Sequence, residues 1–252
     1  MYPTLFNLGP LQVHTYGLMA AFGFLIGIMV VLFLARREGI KSEVIMDLAL
    51  YVIIAAIIGA RLFYVGGNWG HYRDNLLEIF MVQNGGLVFL GGLILSTLVV
   101  IWYSRSKKLP LLKLLDAITP SVAIGEAIGR LGCFFNGCCF GLPTTLPWGV
   151  VFPSGSLAYS YFGGDHLQPT QIYSFLLLLM VFAALLRLYR RKKYDGQIFY
   201  WGIIFYSVYR FLVEFLRYSP IHWVGLTPSQ WIVVIAAAFA LFGIYARDKT
   251  TS

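Results

Sequence analysis

Apolar stretches long enough to cross a bilayer recur along this chain, around residues 16–35, 45–66, 86–104, 111–132, 169–189, 196–217 and 229–246. About 20 residues of helix reach across the hydrocarbon core, where every backbone polar group needs an internal partner. The chain is therefore expected to be an all-α integral membrane protein, a bundle of about seven transmembrane helices. With 59% hydrophobic and only 12% charged residues, the composition leaves little for a water-facing surface. Residues 1–252 are read as a single transmembrane helical domain, with a periplasmic-side segment near 133–168. No long low-complexity linker, solenoid-type repeat or cleavable signal peptide is apparent, so the first span is expected to stay as an anchor.

The net charge of +8 raises the possibility of a polyanion partner, but the basic residues are distributed as in a membrane protein. They cluster in alternate loops: Arg36, Arg37 and Lys41, then Arg105, Lys107, Lys108 and Lys113, then Arg187 and Arg190 to Lys193, and finally Arg247 and Lys249. The positive-inside rule puts these regions in the cytoplasm, with the N-terminus outside and the C-terminus inside. No nucleic-acid stripe is expected. Among the opposite loops only Arg73 is basic, and His14, His71, His166 and His222 all lie there or at its edge.

The remaining arginines, Arg61, Arg130, Arg210 and Arg217, belong to the spans or their ends. A charge in the bilayer costs about 2.5 kcal/mol or more, so each should face a partner, a cavity or a substrate. Glu126 with Arg130, and Arg210 with Glu214, have i, i+4 spacing and share a helix face. Mutual neutralisation would ease insertion. Arg61, Arg130 and Arg210, placed at similar depth toward the outer leaflet, nevertheless outnumber the two glutamates. The surplus suits an anion such as a lipid phosphate, which a guanidinium fork binds through two parallel hydrogen bonds. The run QNGGLVFLGGL, Gln83 to Leu93, allows either close helix packing or backbone amides at a helix start that hold an anionic headgroup. Cys133, Cys138 and Cys139 lack an interleaved histidine and a fourth ligand, so packing is expected of them and no metal site. Neither do they have an adjacent His or Asn to activate a nucleophile.

GRLGCFFNGCCFG, Gly129 to Gly141, resembles the signature of the bacterial prolipoprotein diacylglyceryl transferase family. Matching segments follow in the same order. YGLMAAFGF from Tyr16, GARLFYV from Gly59 and the double Gly-Gly run are similar to the family's first three spans. QPTQIYS from Gln168 looks like the opening of the fifth, and YSVYRFLVEFLR from Tyr206 like the sixth. Family positions retained are Tyr16, Arg130, Asn136, Gly141, Tyr206, Arg210 and Glu214. The chain departs where the family commonly has a histidine (Leu90), an asparagine and a glutamate (Cys133 and Cys138), and a histidine and a glutamate (Gln168 and Ser174).

The resemblance implies transfer of diacylglyceryl from phosphatidylglycerol to the lipobox cysteine of a prolipoprotein, releasing glycerol phosphate, in the bacterial cytoplasmic (inner) membrane. Its partners would be phosphatidylglycerol, prolipoprotein lipobox segments and membrane lipid, with no cofactor. Arg130, Arg210, Glu214 and Tyr206 are expected to be catalytic. Arg130, Tyr16, Asn136, Arg61, Gly91 and Gly92 are expected to bind substrate. The rivals are a non-enzymatic carrier of an anionic lipid or solute, and a paralogue with a different acceptor.

Overall fold

The computed structural model of the chain describes residues 4–8, 11–73, 75–81 and 85–251. Five of its helices are long and apolar enough to cross a membrane: α1 (Thr15–Arg37), α2 (Ser42–Gly67), α4 (Phe89–Ser106), α7 (Thr170–Tyr189) and the Pro228–Arg247 part of α9 (Pro228–Thr251). The chain is thus a multi-pass membrane protein. Two more long helices, α5 (Leu111–Asn136) and α8 (Gln197–Glu214), carry Asp116, Glu126 and Arg130, and Arg210 and Glu214. Short helices α3 (Trp69–Tyr72) and α6 (Leu157–Phe162) lie in the connections. The all-α expectation needs one correction. Thr4–Leu8 (β1) and Leu11–His14 (β2) pair as an antiparallel hairpin, too short to register against the spans that follow.

The chain divides into two compact units, one of residues 32–114 and the other of residues 1–31 with 115–252. In the first, α2 packs against α4 through glycines. A Cβ on Gly92 would lie 2.8 Å from the Ala56 carbonyl oxygen, and one on Gly91 would collide with Gly59 and Phe63. Both glycines are buried, so the Gly-Gly pair serves the close helix approach. Gln83 and Asn84, which open that run, lie outside the described residues.

In the second unit α1 and α5 approach just as closely, since a Cβ on Gly23 would lie 2.7 Å from the Gly125 carbonyl oxygen. Helices α7, α8 and α9 complete the packing, with Ala127, Leu178, Tyr209 and Val213 in one buried cluster. Asp116 is fully buried yet satisfied. It accepts from the backbone N–H groups of Gly196 (2.7 Å) and Phe199 (2.9 Å) and pairs with Lys192 at 3.2 Å. A carboxylate in α5 thereby holds the start of α8, where free N–H groups favour negative charge. After α5 the chain forms a small cluster around Phe140, Phe152, Ala158 and Leu167, with Tyr218 stacked on Phe140.

Candidate functional site

Both i, i+4 pairs form, and both lie in the second unit. Arg130 Nη2 reaches Glu126 Oε1 at 2.5 Å, with the Tyr206 hydroxyl donating to the same oxygen at 3.5 Å. On α8, Arg210 Nη2 lies 2.9 Å from Glu214 Oε2, and its second contact is the Ser229 hydroxyl at 3.3 Å. Arg217, just beyond the helix, reaches the same Glu214 oxygen at 3.7 Å. One carboxylate therefore sits between two guanidinium groups. The other Glu214 oxygen accepts from the Thr227 hydroxyl at 3.1 Å.

Thr227 has a second task. Its backbone N–H donates to Gln230 Oε1 at 2.9 Å while the Gln230 N–H donates back to its hydroxyl at 3.3 Å. This is a reciprocal capping box at the start of α9, with Pro228 in the first helical position, where its missing N–H costs nothing. The motif Thr-Pro-Ser-Gln was the available signal for Thr227 and Gln230, and the sequence reading passed over it. A cavity of about 150 Å³ opens here, lined by Glu214, Arg217, His222, Thr227 and Gln230 among others.

Guanidinium capacity is left over. Arg130 Nε and Arg217 Nε are buried without a hydrogen-bond partner among the described residues. Three arginines, Arg130, Arg210 and Arg217, stand with two glutamates in this unit, whereas the surplus expected from the sequence counted Arg61, which lies in the other unit. Here the third member is Arg217.

Arg61 belongs to the other unit and is placed quite differently. Its Nε donates to Ile79 O at 2.8 Å, Nη1 to Gly85 O at 2.7 Å and Gly86 O at 3.2 Å, and Nη2 to Glu78 O at 2.6 Å. The guanidinium also lies 5.3 Å from the Tyr72 ring centre. Gly86, at φ +74, lets this happen, because a Cβ there would fall 2.8 Å from Arg61 Nη1. The side chain staples the turn before α4 to α2.

Tyr16 stands at the start of α1, half exposed, with its Cα and ring Cδ2 each 3.3 Å from where a Cβ on Gly132 would be. Asn136 ends α5 and is exposed. Beyond it the backbone turns through Gly137 (φ +67) and Cys139 (φ +60), the latter unusual for a residue with a side chain. The turn is held from α7: Thr170 Oγ1 donates to Cys139 O at 2.8 Å, and Gln171 Nε2 to Cys138 O at 2.7 Å. Gly141 is threaded between backbones, since a Cβ there would lie 2.6 Å from Gln168 O and 2.7 Å from Leu216 O.

This turn brings the three thiols together. The sulfurs of Cys133, Cys138 and Cys139 all lie within 4.8 Å of one another, and Arg217 Nη2 donates to Cys139 Sγ at 3.3 Å. Hydrogen bonds from the other two thiols hold the Cys139 thiol well below the ordinary range, with Arg217 and Arg130 adding to that effect against the opposing cost of burial. The spacing gave no hint of the convergence, which depends on the left-handed residue and on contacts from α7.

The family model for prolipoprotein diacylglyceryl transferase matches residues 3–246. The chain is 35% identical to the phosphatidylglycerol–prolipoprotein diacylglyceryl transferase of Synechococcus elongatus, over 96% of this chain and 86% of that one. It is 36% identical to the protein of the same name from Clostridium tetani, over 96% of both chains. Against that of Streptococcus suis the identity is 32%, over 100% of this chain and 94% of the other.

Proposed function

Because this chain belongs to the prolipoprotein diacylglyceryl transferase family, we propose that it joins the diacylglyceryl group of phosphatidylglycerol to a prolipoprotein, the first step of lipoprotein maturation. It is a membrane transferase, and the carrier reading gives way to that. The acceptor atom is the lipobox cysteine sulfur. It attacks the glyceryl carbon, the C–S bond forms as the C–O bond to phosphate breaks, and glycerol phosphate leaves.

Negative charge builds on the phosphate as it departs, so donors fixed in advance stabilise the transition state more than the ground state. The observation that carries the assignment is the unspent guanidinium capacity around Glu126 and Glu214. Arg130 and Arg210 take the phosphate oxygens, joined by Arg217. Glu214 orients Arg210, while Tyr206 steadies Glu126. Tyr16 and Asn136, at the exposed ends of α1 and α5, hold the headgroup. We reassign Arg61, Gly91 and Gly92 from substrate binding to architecture, since the arginine's donors go to four carbonyls and both glycines are buried against α2.

In this reading α5 and α8 complete seven crossings, their charges facing the interior of the protein rather than lipid. The basic loops lie in the cytoplasm of a bacterial cell, the N-terminus outside, and the enzyme sits in the cytoplasmic membrane. The test is transfer of labelled diacylglyceryl from phosphatidylglycerol vesicles to a lipobox peptide by the purified protein, with complementation of cells depleted of their own transferase. Product on the peptide's cysteine and rescue of growth are expected. Rescue failing alongside transfer to some other acceptor would make the chain an altered-acceptor paralogue.

A further inference from the structure

Attack by sulfur requires a thiolate, and at neutral pH a free cysteine with a pKa of about 8.5 is only a few per cent ionised. The two carboxylates of the site are committed, Glu126 to Arg130 and Glu214 to Arg210 and Arg217. His166 Nδ1 is engaged with the Gly149 carbonyl, and His71 pairs with Glu78 in the other unit. The cysteine trio and His222 lie in the site's own unit outside these pairings.

Three sulfurs within 4.8 Å of one another are close to a coordination geometry. Tetrahedral zinc with Zn–S bonds of about 2.3 Å holds its sulfurs about 3.8 Å apart, so the thiols need to close by at most about 1 Å. A disulfide would demand a contraction to about 2.05 Å and a fixed dihedral, and would leave the third thiol out. The surroundings suit a thiolate metal. Arg217 donates to Cys139 Sγ at 3.3 Å, and Thr170 and the fully buried Gln171 fix the carbonyls of Cys139 and Cys138. Such outer contacts orient ligands, and their loss weakens metal sites by about 10- to 100-fold. The three cysteines are only partly buried. Arg217 touches both Cys139 Sγ, at 3.3 Å, and Glu214 Oε2, at 3.7 Å, which puts the trio beside the groups assigned to the phosphate. A structural zinc site is closed by four protein ligands, whereas a catalytic one has three and an open position. The absence of a fourth cysteine, which argued against a structural metal, is what a catalytic one requires.

We propose that Cys133, Cys138 and Cys139 bind Zn²⁺ as a three-thiolate site whose open fourth position takes the sulfur of the acceptor cysteine. The proposal rests on the transferase reading and supplies its activation step. A coordinating thiol is deprotonated outright, its proton passing to solvent water. The zinc-bound thiolate then attacks the glyceryl carbon. The C–S bond forms, the C–O bond breaks, and the electron pair leaves on glycerol phosphate, charge being conserved. The product thioether, a weaker ligand than a thiolate, departs and frees the position. No redox change occurs.

The experiment uses the full chain, purified in detergent with its thiols reduced. About one zinc per chain is expected after equilibration with Zn²⁺ and removal of excess, with at least a tenfold weaker affinity in Cys133→Ser, Cys138→Ser and Cys139→Ser. Cobalt(II) in place of zinc should give sulfur-to-metal charge transfer and a tetrahedral d–d spectrum that shifts on adding a lipobox peptide, but not its Cys→Ser counterpart. Chelation of the wild-type protein should slow transfer by about 30-fold at neutral pH, the factor by which free thiol exceeds free thiolate, and zinc should restore it. This last arm needs no substitution, so a misfolded variant does not obscure the result. Full-rate transfer by the chelated enzyme would overturn the zinc site while leaving the transferase reading intact. So would a disulfide forming in a chain that takes up no zinc when reduced, or loss of activity on His222→Ala with none on chelation. Zinc binding and a peptide-dependent cobalt spectrum, with no transfer from phosphatidylglycerol in any metal state, would instead sink the transferase reading.

Discussion

Arg61 and Arg130 read alike in the sequence, each an arginine set among apolar residues near the end of a long helix. The two units treat them in opposite ways. Arg61 is caged by the carbonyls of Glu78, Ile79, Gly85 and Gly86, so its charge is consumed by the backbone of its own unit. Arg130 has one carboxylate partner and a buried Nε with none among the described residues. Charge in a membrane segment thus does not by itself mark a site. What separates an architectural arginine from a binding one is how many of its five N–H groups the fold has already claimed.

The strongest way to break that comparison is to remove each side chain in turn. Arg61→Ala removes the buried guanidinium that joins four carbonyls, Glu78 O keeping a second donor in the Met81 N–H, and a lost hydrogen bond to a charged group is worth about 1.5–3 kcal/mol. The expected result is a destabilisation of several kcal/mol, seen as poor yield and a markedly lower melting temperature in detergent, with activity per folded molecule largely kept. Arg130→Ala should do the reverse. Loss of one preorganised donor to developing charge slows reactions by about 10²–10³-fold, so transfer should fall by that factor while melting changes little. Equal melting temperatures for the two variants, or equal losses of transfer per folded molecule, would erase the distinction.

Gly86→Ala sharpens the same contrast at smaller cost. Its φ of +74 is unfavourable for alanine, and the added Cβ would meet the Tyr64 ring and Arg61 Nη1. A loss of about 1–3 kcal/mol is expected for such strain, again as stability rather than rate. Were transfer to fall with stability unchanged, the turn before α4 would belong to the site after all.

Much of this was legible beforehand, though unevenly. The apolar stretches located the helices because a bilayer tolerates little else, and the i, i+4 spacings located both ion pairs because helical geometry is local. The role of Arg61 was not legible, since its partners are carbonyls 17 to 25 residues away and carbonyls carry no sequence signature. Nor was the gathering of the cysteines, which needs a left-handed Cys139 held by Thr170 and Gln171 from another helix. Arg217 was seen as a charge but missed as a site residue: its i, i+3 spacing from Glu214 was there to read, whereas its link to Cys139 forms only once the chain folds back past Phe140. Thr227 could have been found, for its capping box is written in four consecutive residues.

That box yields the next test, now within the site. Thr227→Val removes the hydroxyl that Glu214 accepts and the cap that Gln230 needs, whereas Thr227→Ser keeps both. Loss of a cap costs about 1 kcal/mol and loss of a hydrogen bond to a charged group about 1.5–3 kcal/mol. About a tenfold drop in transfer with a modest drop in melting temperature is expected for valine, and near-normal behaviour for serine. A serine variant as slow as valine would mean that the methyl group, not the hydroxyl, matters.

The smallest effect should come from Tyr206→Phe, and it separates a steadying contact from a catalytic one. Its hydroxyl meets Glu126 at 3.5 Å, the far limit of a hydrogen bond, while Arg130 holds the same oxygen at 2.5 Å. Removing so long a bond costs at most about 1 kcal/mol, a rate loss of no more than about fivefold, because Glu126 keeps its main partner. A loss approaching that of Arg130→Ala would place the hydroxyl on the phospholipid itself, with the contact to Glu126 merely its resting position. A double variant distinguishes the cases: if Tyr206 acts only through the Glu126–Arg130 pair, adding Tyr206→Phe to Arg130→Ala should cost almost nothing more, since the group it steadied is already gone.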